Sequence, residues 1–137
     1  KIIRAHLNDS FSRVAPVVDL RKIVEACELV KQVYLDERIE QYVADIVFAT
    51  RYPEQYKLSN LKNYISFGGS PRASINLALA ARACAFIKRR GYVVPEDVRD
   101  VAHDVLRHRI GLTYEAEAEN MSTDQIISEI INAVEVP

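Results

Sequence analysis

The sequence of 137 residues predicts an all-α fold, a bundle of about six helices around one buried central helix. Three observations carry this reading. Apolar residues recur at helical spacing through most of the chain, and the runs are opened by capping residues and closed by glycine, proline or bases. The run from Ala73 to Ile87 is apolar on nearly every face, with Ser74, Asn76 and Arg82 as its only polar side chains, which is the pattern of a helix buried all round. Strand signals are confined to one short stretch near 64–67 that could run extended into the glycines beyond it.

At this length the chain forms one domain able to bury a core without staples. A formal net charge of −1 gives no global pull toward nucleic acid or an anionic membrane. The charge is nevertheless uneven. Residues 70–90 hold Arg72, Arg82, Lys88, Arg89 and Arg90 without an acid, whereas 115–137 hold six acids without a base. Cys27 and Cys84 lie within apolar helical patterns without metal-ligand spacing, and read as small core residues in a reducing, cytoplasmic setting. No apolar run approaches the length of about 20 residues that spans a bilayer. The start, KIIRAHL, falls mid-pattern without an initiator methionine and reads as a piece of something longer.

In chain order, Ile3, Leu7, Phe11 and Val14 share one face of a connecting helix over 1–16 that Pro16 closes. Residues 17–112 form the main helical unit. Asp19 caps a helix with a stripe of Leu20, Ile23, Val24, Cys27, Val30 and Tyr34. Asp36 caps the next, with Ile39, Tyr42, Val43, Ile46 and Ala49 or Thr50 toward the core. From Pro53 to Gly69 no period holds, and the six apolar residues Tyr56, Leu58, Leu61, Tyr64, Ile65 and Phe67 predict a loop packed on its own aromatics. Ser59 caps a short helix toward Tyr64 in this reading. Lys88-Arg89-Arg90-Gly91 then ends the central helix, with cations at its negative end and Gly91 at the C′ position. Pro95 opens an amphipathic helix through Val98, Val101, Ala102, Val105 and Leu106. Residues 113–137 form an acidic joint and a C-terminal helix, which Ser122 and Gln125 open as a capping box.

The opening of the central helix, Gly68-Gly69-Ser70-Pro71-Arg72-Ala73, is the candidate site. Ser70 suits the N-cap and Pro71 the first helical position. The two glycines permit a sharp turn and close approach of a ligand. Arg72 then stands among unsatisfied N–H groups at the positive end of the helix dipole, an unfavourable place for a cation unless an anion lies opposite. That anion is either a multiply charged ligand of the phosphate type or an intramolecular carboxylate such as Asp97 or Asp100. The sequence contains no G-x-x-x-x-G-K-[ST] phosphate loop and no serine or cysteine with an evident histidine partner. His103 and His108 do not share a helical face, so no metal site is expected. Asp100, His103, Asp104 and Arg107 read as a solvated face, and Arg82 as a partner in a structural ion pair.

The run from Gly68 to Ile110 resembles the lid subdomain of MoxR-family AAA+ ATPases. Gly68 to Ala73 is similar to the G-[AG]-S-P-R-A segment that opens the family's sensor 2 helix. Arg90-Gly91-Tyr92-Val93-Val94-Pro95-Glu96-Asp97-Val98 is similar to its G-R-x-Y-V-x-P-x-D-V turn, with the Gly-Arg order read as reversed. Leu106-Arg107-His108-Arg109 is similar to its L-x-H-R ending, and Tyr42 to Arg51 to its helix ending in Thr-Arg. The stretch between Arg51 and Gly68 is longer than the family's pattern and reads as a lineage-specific surface.

The resemblance implies that Arg72 is the sensor 2 arginine, acting on the γ-phosphate of ATP, with Gly69 and Ser70 beside the nucleotide. Mg2+ and the phosphate cradle would belong to a separate large domain. The family forms rings, usually hexamers, and acts as chaperones, often beside proteins with von Willebrand factor A domains. Those neighbours, rather than nucleic acid or membrane, are the partners it implies. Two rivals come from the residues themselves. One is a protein–protein adaptor bundle in which Arg72 pairs with Asp97 or Asp100. The other is a nucleic-acid-binding module using Arg82, Lys88, Arg89 and Arg90, which predicts a contiguous basic stripe.

Overall fold

The structure, a computed structural model, describes residues 15–137. The expected connecting helix at 1–16 lies outside the described residues but for its last two. Six helices follow: α1 (Leu20–Lys31), α2 (Glu37–Ala49), α3 (Pro71–Ile87), α4 (Pro95–Leu106), α5 (Tyr114–Ala118) and α6 (Thr123–Ala133). Strands β1 (Ile65–Phe67) and β2 (Gly111–Leu112) pair antiparallel, Ile65 opposite Leu112 and Phe67 opposite Gly111. The extended segment near 64–67 is therefore real, and its partner lies some 45 residues on. Among the described residues no helix is long and apolar enough to cross a membrane.

The caps form as local chemistry dictates. Asp19 accepts from the N–H of Arg21 at 3.2 Å and Asp36 from that of Arg38 at 3.0 Å. Ser122 accepts from the Gln125 N–H at 3.2 Å while the Gln125 side chain accepts from the Ser122 N–H at 2.8 Å, completing the capping box. Each satisfies donors that a helix start leaves free.

The core gathers Ile39, Tyr42, Val43, Ile46 and Val47 of α2, Val98, Ala102 and Leu106 of α4, and Ile126, Ile127, Ile130 and Ile131 of α6 around α3. The acidic C-terminal segment thus packs on this domain through its isoleucines. From α3 the core buries Ala73, Leu77, Ala81 and Ala85, a stripe with a residue every fourth position, with Ala78 and Phe86 half-buried against it. These small side chains let α4 approach closely, and α3–α4 is the most extensive helix contact. The opposite face is open: Ile75 is 59% and Leu79 47% exposed. Burial on every face, as the composition of α3 suggested, is therefore not what the fold shows. The same correction applies to α1. Its apolar stripe is helical as read, yet no residue of α1 is buried, with Leu20 72% exposed. Periodicity reports which face is apolar; it does not report what covers it. Cys27 is exposed and Cys84 half-buried, so neither is the small core residue expected.

The loop from 53 to 69 packs on the domain core through Leu58, Leu61, Tyr56, Tyr64 and Ile65, rather than on its own aromatics as expected. Short 3-10 turns at Pro53–Tyr56 and Ser59–Leu61 bury Pro53, Leu58 and Leu61. Ser59 opens the second turn but makes no side-chain cap. The Tyr56 hydroxyl donates to Asp45 at 2.8 Å, and that of Tyr64 to Glu119 at 2.5 Å. Burial, and then the neighbouring Asp45 carboxylate, push the Tyr56 phenol up to about 12.

The end of α3 differs from the reading in one residue-level detail. Arg89, at φ 60°, takes the left-handed position after the Lys88 cap. Its N–H bonds the Phe86 carbonyl at 2.8 Å, and the Arg90 N–H reaches back to Ala85 at 2.9 Å, the two bonds of a Schellman closure. Gly91, expected at that place, has no positive φ. A β-carbon in the left-handed region costs about 1 kcal/mol, so Arg89→Gly is expected to raise stability by about that amount, read as a higher denaturation midpoint at unchanged m-value.

Candidate functional site

The N-terminus of α3 is set against the C-terminus of α2. Thr50, fully buried, donates its hydroxyl to the Val47 carbonyl at 2.6 Å and accepts from the Gly69 N–H at 2.8 Å. Gly68 passes so close to the Thr50 carbonyl that a β-carbon would overlap it. One on Gly69 would lie 3.2 Å from both Val47 and Ala73. The glycines are thus needed for contact with α2, not for a positive φ. Gly68→Ala is expected to cost about 2 kcal/mol, as overpacking does. Gly91→Ala, with open space around it, should leave the denaturation midpoint unchanged.

Ser70 occupies the N-cap with extended backbone, and Pro71 the first helical position, as expected. The Ser70 hydroxyl, however, caps no helical N–H. In that first turn Pro71 has no N–H and the Ala73 N–H bonds the Ser70 carbonyl at 2.7 Å, while the positive field of the helix start remains. Arg72 is exposed and makes no ion pair among the described residues. Beside it Arg51, Tyr52, Phe67, Gly68, Gly69 and Ser70 line a shallow recess of about 350 Å3. The Arg51 guanidinium stands 5.8 Å from the centre of the Tyr52 ring. Gly69 and Ser70 thus share a recess with Arg51, and Arg72 is not among the residues that line it.

The carboxylates offered as internal partners for Arg72 are engaged elsewhere. Asp97, fully buried at the start of α4, accepts two bonds from the Arg90 guanidinium at 2.5 and 2.6 Å. It takes a third from Lys88 at 3.1 Å and a fourth from the Val94 N–H at 3.1 Å. Lys88 also reaches Asp100, at 2.5 Å. Burial alone would push the Asp97 carboxyl up; the Arg90 guanidinium, the Val94 amide and Lys88 outweigh it and hold the group at about 2. The Cys84 thiol lies within 4.8 Å of both carboxylates, but a lysine and an arginine already occupy the place a metal ion would take. Two of the four cations of a nucleic-acid stripe, Lys88 and Arg90, are consumed here.

This network also corrects a register. Laid on without a gap, the glycine of the G-R-x-Y-V turn falls on Arg89 and its arginine on Arg90. The backbone agrees: Arg89 holds the left-handed position that suits glycine, and Arg90 makes the ion pair. The Gly-Arg order is not reversed; its glycine is replaced. Sequence reasoning also missed Asp97 as a structural hub, although an acid at the third helical position behind Lys88-Arg89-Arg90 is a usable signal. Arg82 was expected to find a carboxylate. It makes no ion pair among the described residues, and its Nε is buried without a partner. His103 bonds Ser128 at 3.0 Å. Arg107 pairs with Asp124 at 2.7 Å and Asp104 at 3.6 Å on the solvated face.

The described residues thus form a helical bundle with a small two-stranded flap and an exposed arginine in the first turn of α3. A family model described as the AAA lid domain matches residues 58–130. The chain is 41% identical over 110 residues to Chaperone MoxR1 of Mycobacterium tuberculosis, covering 80% of this chain and 29% of that protein. It is 39% identical over 87 residues to Protein MoxR of Paracoccus denitrificans, covering 59% of this chain and 26% of that one. A crystal structure of a proposed ATPase from Cytophaga hutchinsonii superposes with a TM-score of 0.89 at 42% identity, covering 99% of this chain and 42% of that chain. The chain belongs to the AAA lid domain family, in its MoxR-like form. It spans less than half the length of each of these relatives.

Proposed function

We propose that this lid supplies Arg72 as the sensor 2 arginine of a MoxR-type AAA+ ATPase, with Gly69 and Ser70 beside the nucleotide. The observation that supports this is the state of Arg72. It is an exposed cation without an ion-pair partner among the described residues, at a helix N-terminus whose cap hydroxyl binds no N–H, while Asp97 and Asp100 are held by Lys88 and Arg90. A guanidinium offers phosphate oxygens a planar fork of donors, and the helix field adds to it.

The residues present suit a phosphate and nothing further of the nucleotide site. In this reading Mg2+ and the phosphate cradle would belong to a large domain. Bound ATP would supply the anion. Arg72 would stabilise charge developing on the γ-phosphate rather than move a proton. Contact with a phosphate held on a second rigid body would close the lid, and loss of that phosphate would release it. In this reading the parent works in the cytoplasm as a ring, hexameric in the family's usual form, and remodels client proteins beside von Willebrand factor A domain partners. Titrating the full-length protein with a nucleotide analogue, with and without Arg72→Ala, tests the phosphate contact. Discrimination between ATP and ADP should narrow in the variant, and unaltered discrimination would overturn the assignment.

A further inference from the structure

The end of α2 is tied to the opening of α3 by one side chain, and the tie stands close to Arg72 in the sequence. Gly68 and Gly69 have no β-carbon, and two glycines in a row have the most backbone freedom to lose. Left untied, they would let the start of α3 swing. Thr50 removes that freedom. It is fully buried at the C-cap of α2, and its hydroxyl donates to the Val47 carbonyl at 2.6 Å. With that proton committed, the oxygen is left as an acceptor, and it accepts from the Gly69 N–H at 2.8 Å. Gly69 is itself buried, between Val47 of α2 and Ala73 of α3. Beyond the tie the chain is stiff. Ser70 precedes a proline, which confines it to extended backbone, and it adopts φ −80° and ψ 170°. The φ of Pro71 is fixed by its ring. Arg72 therefore follows the tied amide through a segment with little torsional freedom.

From this we infer that Thr50 is a positioning residue, whose hydroxyl holds the Gly69 amide and so fixes where Arg72 stands relative to a bound phosphate. The inference rests on the nucleotide reading of Arg72. Thr50 is buried and touches no ligand itself; it acts through the backbone of residues 69–72. The hydroxyl does what a methyl group cannot. A valine would fill nearly the same volume but leave the Gly69 N–H buried without an acceptor, so the segment would shift to find one. A guanidinium meets phosphate through a fork of directed N–H bonds. Such a contact is sensitive to placement, and an error of about 1 Å is enough to slow a reaction by about a hundredfold.

The test uses the full-length protein and the variants Thr50→Val, Thr50→Ser, Arg72→Ala and the double variant Thr50→Val with Arg72→Ala. Measurements are ATP turnover and, without nucleotide, hydrogen exchange at the Gly69 amide. Thr50→Val is expected to lower kcat about tenfold at nearly unchanged KM, as loss of placement in the transition state does. It should also free the Gly69 amide to exchange. Thr50→Ser, which keeps the hydroxyl, should retain most of the turnover and the protection. In the Arg72→Ala background, Thr50→Val should change kcat by less than about twofold, because residues that act through one another are not additive. Where Thr50→Val does not fold, Thr50→Ala removes the same hydroxyl without a methyl group against the Gly69 N–H. An equal fall in both backgrounds would show that Thr50 acts independently of Arg72, and a Gly69 amide still protected without the hydroxyl would show that Thr50 does not hold it. Either result would overturn the inference. Unchanged turnover in Thr50→Val beside an impaired Arg72→Ala would also overturn it and leave the role of Arg72 standing. An Arg72→Ala variant with wild-type turnover would remove the nucleotide reading and this inference with it.

Discussion

Replacing Arg72 by alanine in the full-length protein is expected to lower ATP turnover at least about tenfold, or about 1.4 kcal/mol of barrier. The fold should be untouched. Arg72 is exposed, pairs with no acid among the described residues and contributes nothing to the core, and a cation in the first turn opposes the helix dipole. A small gain in the stability of the lid is therefore expected beside the loss in turnover. That opposition of signs separates a functional arginine from a structural one. Melting curves and steady-state kinetics on the same preparation read both. A variant that lost stability together with activity would contradict the assignment.

The second large effect is expected at Asp97. Its carboxylate binds Arg90 twice, Lys88 once and its own N-cap amide, joining the end of α3 to the start of α4 across a tight turn. Asp97→Asn leaves two cations around a neutral amide and is expected to cost about 3 kcal/mol, the scale for one-sided removal of a buried ion pair. For a domain of this size that is about 10 °C in melting temperature. The carboxyl is held at about 2, below its ordinary 3.8. Its stabilisation is therefore fully present above the ordinary value and is lost as pH falls through about 2. Between about pH 4 and pH 2 the wild type should lose stability more steeply than Asp97→Asn, which has no proton to take up there. Parallel slopes in acid denaturation would show that the pair does not form.

What could be read from the chain was local. Asp19, Asp36 and the Ser122–Gln125 box act on N–H groups two or three residues away, and all three function as predicted. Ile39, Tyr42, Val43 and Ile46 share a helical face and are buried. Features closed by distant partners were not legible. Strand β1 needs Gly111–Leu112, and Gly69 needs the Thr50 hydroxyl, 19 residues earlier. The stripes of α1 and α3 were read as core because an apolar face looks the same whether this domain or another surface covers it. In the candidate site, the sequence singles out Arg72 because its charge opposes the helix field, and the structure places it exposed in the first turn of α3. The engagement of Asp97 and Asp100, which leaves Arg72 free of them, required the fold. Arg89 stands between these cases. The Schellman closure was predicted two residues late because glycine marks the left-handed position only by preference, and here an arginine fills it.

The central claim is that Arg72 meets a phosphate. Its most direct test is the structure of the full-length protein with a non-hydrolysable ATP analogue. The account predicts the Arg72 guanidinium at about 3 Å from a γ-phosphate oxygen, on a helix N-terminus directed at the nucleotide. Arg72 paired with a protein carboxylate, or left in solvent with the nucleotide fully bound, would contradict it.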